Sequence, residues 1–142
     1  MDLTNTPVLQ MLRTRMDWLT ARQAVLAENI ANANTPGFRA RDLSEPDFAA
    51  LLRGETASGA AGKVEMVATA DGHFGLPPAA AAAEQRGFAP VDRPDSESSP
   101  NGNSVVLEEQ MMRLSETQMD YSIVTGLYKK TLNLFRLALG RT

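Results

Sequence analysis

The stretch "ENIANANTPGF", residues 28–38, decides how this chain is built. Helix-compatible residues lead into it, asparagines at 29, 32 and 34 weaken the helix, and Thr35-Pro36-Gly37 ends it. Pro36 disfavours the α conformation at Thr35 and has no N–H to give to a hydrogen-bond ladder. Thr35-Pro36-Gly37-Phe38 fits a type II turn, with proline second and a glycine of positive φ third. The helix therefore stops near Asn32 to Asn34.

Upstream, Thr6-Pro7 suits a helix start, with Thr6 as N-cap and Pro7 in the first helical position. From Leu9 onward the seam positions Leu9, Leu12, Met16, Leu19, Gln23, Leu26, Ile30 and Ala33 step by three and four, a heptad pattern with one polar interruption. Met11, Trp18 and Val25 form a second row, off that seam. Two readings of it stay open: a further interface, or a face covered by the middle of the chain.

The last third predicts a second helix from about Ser104 to Leu139. Leu107, Leu114, Tyr121, Tyr128 and Phe135 recur every seventh residue. Their companion positions are the polar Gln110 and Thr117, then the small or medium-sized Val124, Thr131 and Ala138. Leu127, Leu132, Leu134 and Leu139 widen the stripe, and a wide stripe implies more than one neighbour. Between the helices, residues 42–53 are expected as a short helix anchored by Phe48, Leu51 and Leu52. Residues 54–103 are rich in Gly, Ala, Ser and Pro, and Lys63 to Thr69 is the one expected strand.

The fold class that follows is mainly α: long terminal helices paired in a coiled-coil-like hairpin, with an irregular middle that holds at most a short β segment. Four segments are expected: 1–37, a first helix and its turn; 38–53, a linker helix; 54–103, the irregular middle; 104–142, the second helix. An isolated hairpin of this kind leaves apolar surface wet, so the helices are expected to gain order from neighbouring subunits.

The chemistry is sparse. The 142 residues contain no cysteine and one histidine, which excludes disulfides, thiol nucleophiles and most structural zinc sites. His73 follows Asp71-Gly72 and reads as a polar loop residue. No P-loop and no dinucleotide fingerprint occurs. A net charge of −3 argues against nucleic-acid binding by the chain as a whole. The first residues lack the basic start and apolar core of a secretory signal. No catalytic, metal or cofactor site is expected, and the chain does not read as an enzyme.

"ARQAVLAENIANANTPGFRARDL" resembles the N-terminal motif of the bacterial flagellar axial proteins, the rod and hook family, whose pattern runs N-I-A-N-x-x-T-P-G-[YF]. "DFAALL", the short length and "NGNSVVLEEQMMRLSETQMDYSIVTGLYKKTLNLFRLAL" are similar to the proximal rod proteins in particular. The family's D-G-N-x-V-D segment reads here Asn101-Gly102-Asn103-Ser104-Val105-Val106, and Gln110 stands where a glutamate is common. The resemblance implies a structural subunit of the basal-body rod that transmits motor torque. It implies Asn29, Ile30, Asn32, Thr35, Pro36, Gly37 and Phe38 as the motif that ends the first helix and directs the chain outward. Leu12, Met16, Trp18, Leu19, Leu26, Leu107, Leu114, Tyr121, Tyr128 and Phe135 are the candidate packing residues. The implied partners are copies of itself, other rod proteins, the adaptor to the membrane ring, and the flagellar type III export apparatus, which dispenses with a cleaved signal. The implied location is the periplasmic rod. Another flagellar axial subunit, or a helical adaptor or export chaperone that does not polymerise, is the alternative.

Overall fold

The structure, a computed structural model, describes residues 6–47, 83–84 and 87–140. In chain order the described elements are helix α1 (Pro7–Ala31), strand β1 (Arg41–Leu43), strand β2 (Pro90–Asp92) and helix α2 (Leu107–Ala138). The chain is thus mainly helical, with two long terminal helices packed together and one small sheet.

Helix α1 begins with Pro7 at its first position, as the sequence indicates, but Thr6 caps through its extended backbone alone. The Thr6 hydroxyl is buried without a hydrogen-bond partner. At the other end, Thr35 to Phe38 closes as a turn through a 3.3 Å bond from the Phe38 N–H to the Thr35 carbonyl. Gly37 occupies its third position with φ +71°.

The two helices run antiparallel, and cross-helix contacts fix their register. Asn29 meets Gln110 at one end, while the Met16 sulfur accepts from Thr125 and Arg13 reaches Tyr128 at the other. Helix α1 is buried on two faces. Leu9, Leu12, Leu19 and Leu26 form the seam side, and Trp18, Ala21 and Val25 the other. This second face packs with Leu43, Ala83 and Phe88, and Val124 of α2 closes the cluster. The Trp18 indole N–H donates to the Ser44 carbonyl at 2.9 Å. The chain itself therefore covers Trp18 and Val25, whereas Met11 stays half-buried.

Helix α2 departs from the heptad reading. Its fully buried residues are the polar Gln110 and Thr117, while Leu107 and Tyr121 face solvent and Leu114, Tyr128 and Phe135 are half-buried. Burial at this end follows the companion column because that column meets α1; Gln110 bonds Asn29 of α1, and the Thr117 hydroxyl donates to the Arg113 carbonyl of its own helix. Gly126 is exposed, and among the described residues nothing lies within 4 Å of a Cβ there, so no close backbone approach uses it among them.

The sheet lies where a linker helix was expected to begin. Arg41–Leu43 pairs antiparallel with Pro90–Asp92, Asp42 opposite Val91. Flanking bonds from Ser44 N–H to the Ala89 carbonyl and from Arg93 N–H to the Ala40 carbonyl extend the pairing. Tertiary partners override helix propensity at Asp42 and Leu43. The expected anchors Phe48, Leu51 and Leu52, the strand at 63–69 and His73 lie outside the described residues.

Candidate functional site: a polar clasp between the helix ends

The sequence motif ending α1 and the loop preceding α2 meet in one hydrogen-bonded junction. Helix α1 leaves orphan carbonyls at its C-terminus, as every helix does. The Asn32 side-chain amide reinforces the last turn, donating at 2.8 Å to the Glu28 carbonyl that the Asn32 N–H also reaches. Its backbone stays at φ −100°, so the cap works without a left-handed residue. Asn103 takes up carbonyls at and beyond the helix end: its amide nitrogen lies 3.0, 2.9 and 2.7 Å from those of Asn32, Ala33 and Thr35.

The Asn103 carbonyl oxygen meanwhile accepts from the Val105 N–H, and the Asn101 side chain accepts from the Asn103 N–H. Gly37 N–H donates to Asn101 and Ser104 N–H donates to Phe38. Gly102, at φ +79°, packs against this turn, where a Cβ would make an ordinary contact, 3.5 Å from the Gly37 Cα. At Gly37 and Gly102 it is the positive φ, not crowding, that calls for glycine.

Asn29 is the centre of the second half of the clasp. Fully buried, it donates to the Arg41 carbonyl at 2.6 Å and to Gln110 Oε1 at 2.9 Å, and accepts from the Arg41 N–H. It thereby acts as a third strand would toward β1, pinning the outgoing chain to α1. Gln110 passes the chain on, its amide donating to both Asp95 oxygens at 2.9 Å. Asp95 pairs with Arg113 at 2.7 Å and accepts the Val106 N–H at 2.7 Å. Val106 is the N-cap of α2 and makes no side-chain cap, so Asp95 supplies the capping carboxylate from elsewhere in the chain.

A separate ion cluster fastens β1. The Asp42 carboxylate is buried, and Arg22 donates to its two oxygens at 2.8 and 2.9 Å. Arg93 reaches it at 3.2 Å and the Leu43 N–H at 2.8 Å. Burial works against the charged form, but the Arg22 and Leu43 hydrogen bonds and the charges of Arg22 and Arg93 outweigh it and hold the carboxyl below its ordinary value. Arg22 is raised in return, chiefly through its bond to Asp42. A depressed carboxyl adds stability above its unfolded pKa and loses it as pH falls through the folded one. Stability is therefore expected to drop from about pH 4 downward, and Asp42→Asn should flatten that part of the profile in urea titrations.

Of the motif residues singled out in the sequence, Asn29, Asn32, Thr35, Gly37 and Phe38 take part in these bonds. Ile30 is half-buried and Pro36 exposed. Asp42, Asp95, Arg22, Arg93 and Arg113 were not anticipated. The polar Gln110 within an otherwise apolar stripe was a signal for Asp95 and its partner Arg113, since a buried amide requires polar partners; the Asp42 cluster had none. Among the described residues no group of acidic or histidine side chains is placed to hold a metal ion, and no helix is long and apolar enough to cross a membrane.

The clasp joins helices and turns and activates no side chain as a nucleophile. Comparisons with known proteins agree with such a structural part. Residues 9–39 match the family described as flagella basal body rod protein. The flagellar basal body rod protein FlgB of Agrobacterium fabrum is 29% identical over 137 residues, spanning 94% of this chain and 93% of the relative. FlgB of Escherichia coli is 32% identical over 121 residues, 81% of this chain and 83% of the relative. FlgB of Proteus mirabilis reaches 44% identity over 59 residues, 40% of this chain and 41% of the relative. On this similarity, and with the matched segment forming α1 and its clasp, the chain belongs to the FlgB family of flagellar basal body rod proteins and is a structural subunit of the rod.

Proposed function

We propose that the antiparallel hairpin is the unit that packs into the proximal rod, and that the clasp holds the outgoing chain at a fixed angle to it. The observation that carries this reading is the Asn29–Gln110–Asp95–Arg113 chain of bonds, which ties α1, β1 and α2 into one rigid end. A part that transmits torque needs such a joint, because packed, hydrogen-bonded elements transmit strain where loose ones absorb it. The function is mechanical.

The partners under this reading are further copies, other rod proteins and the adaptor to the membrane ring. Delivery is through the flagellar type III apparatus without a cleaved signal, to the periplasmic part of the basal body. Leu12, Trp18, Leu19 and Leu26 are enclosed within the chain, so contacts between subunits fall to exposed residues such as Leu107 and Tyr121. Met16, Leu114, Tyr128 and Phe135, half-buried along the hairpin, lie at the border of that surface.

Electron microscopy of basal bodies from cells lacking the chain tests the assignment. Bodies that stop at the membrane ring support it; intact rods in non-motile cells would move the protein to an export or regulatory role. Gly37→Val tests the clasp. Nothing crowds a Cβ at Gly37, so the cost is the backbone's alone, about 1–2 kcal/mol for a β-branched residue at positive φ. That variant is expected to assemble fewer rods, and full motility with normal rod counts would remove the turn from the mechanism.

A further inference from the structure

Helix α2 carries a second apolar stripe that nothing described in the chain covers. Met112, Met119, Ile123, Leu127, Leu134 and Leu137 are 48–69% exposed. They fall on one side of the helix, turned about a third of a revolution from the side that Gln110, Thr117 and Val124 present to α1. Within the stripe lie two charged residues, Glu116 and Lys130, both exposed.

The order of these residues reads the same from either end. From Met112 through Glu116, Met119, Ile123, Leu127 and Lys130 to Leu134 the intervals run four, three, four, four, three, four. Ile123 is the midpoint. If two copies of α2 lie antiparallel about a twofold axis at Ile123, Met112 meets Leu134, Met119 meets Leu127, and Glu116 meets Lys130, each twice. From Met112 to Leu134 apolar residues meet apolar ones and each acid meets a base, while Leu137 lies beyond this stretch, opposite Glu109. A depression of about 470 Å³, lined by Met112, Arg113, Ser115, Glu116 and Met119, lies where the partner's Leu127 and Leu134 would seat.

We propose that this stripe binds a second copy of the chain, forming an antiparallel α2–α2 dimer with Ile123 on the twofold axis. Such a contact is isologous and closes after two subunits, whereas a rod repeats one subunit direction along its length. The dimer is therefore a form outside the rod, which hides the stripe until assembly and must open to enter it. The pairing stands apart from the rod reading; only this consequence rests on it. Pairing along some six helical turns reaches the low end of a stable interface, on the order of 1,200 Å² in total.

Sedimentation equilibrium of the full chain over a range of concentrations tests the proposal. A monomer–dimer equilibrium is expected. Glu116→Lys or Lys130→Glu alone should weaken it about tenfold, since each replaces two attractions with two repulsions. The Glu116→Lys/Lys130→Glu double variant should restore it, which separates a lost contact from a lost fold. Direction is read by cross-linking, which the absence of cysteine makes clean. With a short bis-maleimide, Ile123→Cys should link to itself, and Met112→Cys should link to Leu134→Cys but not to itself. A monomer at every concentration, an association the single swaps leave unchanged, a double swap that fails to restore it, or Met112→Cys linked to itself would each overturn the proposal.

Discussion

Trp18→Ala is expected to cost about 3–5 kcal/mol in the unfolding free energy, enough to unfold a domain of ordinary stability. Trp18 is 3% exposed and central to the cluster of Leu19, Ala21, Val25, Leu43, Ala83 and Phe88. Removing the indole empties the space between α1 and the outgoing chain, and also leaves the Ser44 carbonyl without its 2.9 Å donor. The guanidinium groups of Arg15 and Arg22 lie 4.9 and 5.3 Å from the ring centroid and lose that contact. Trp18→Phe divides these contributions: it keeps most of the apolar body and forfeits the hydrogen bond, so it should cost about 1 kcal/mol plus part of the burial. Guanidinium denaturation of the two variants reads both values. A loss below about 1 kcal/mol for Trp18→Ala would mean that residues 83–92 do not stabilise α1, and the hairpin would then stand alone.

How far the sequence reached is clearest at α1. Thr6-Pro7 and Thr35-Pro36-Gly37 mark its limits because proline and glycine restrict the backbone locally, whatever the rest of the chain does. The seam leucines were equally legible, since a period of three and four is a property of one helix. The strand at Arg41–Leu43 was not legible. Its bonds come from Asn29 and from Pro90–Asp92, far away in sequence, and three residues carry too short a pattern to announce a strand. Helix α2 shows the opposite failure. Its heptad column of large residues was plain, yet its two fully buried positions, Gln110 and Thr117, belong to the companion column. Gln110 gains its place from Asn29 across the seam and Thr117 satisfies its hydroxyl on its own helix, whereas periodicity counts apolar residues without seeing partners.

Gln110→Glu is the substitution that tests the clasp most sharply. It changes one amide to a carboxylate of the same shape, and it installs the residue common at this position in the family pattern. In this chain it is nevertheless expected to destabilise by about 3 kcal/mol at neutral pH. The Gln110 amide donates to both oxygens of Asp95 at 2.9 Å, and the Gln110 side chain is fully buried. A glutamate there sets two buried carboxylates against each other, with Arg113 the one cation paired with Asp95 among the described residues. The family pattern places acids at the positions of Val106 and Gln110. Here one acid, Asp95, comes from the preceding loop, caps α2 through the Val106 N–H and requires a donor at 110. Both departures, at Val106 and at Gln110, therefore turn on Asp95. Asp95→Asn should rescue Gln110→Glu, because the asparagine amide then donates to the glutamate while its oxygen still caps Val106. Double-mutant cycles by urea denaturation measure the coupling, with a rescue of more than half the loss expected. If Gln110→Glu is as stable as the parent chain, or if Asp95→Asn adds its own loss on top, Gln110 and Asp95 do not act as a pair. The clasp would then reduce to the Asn103 and Asn29 bonds around the turn.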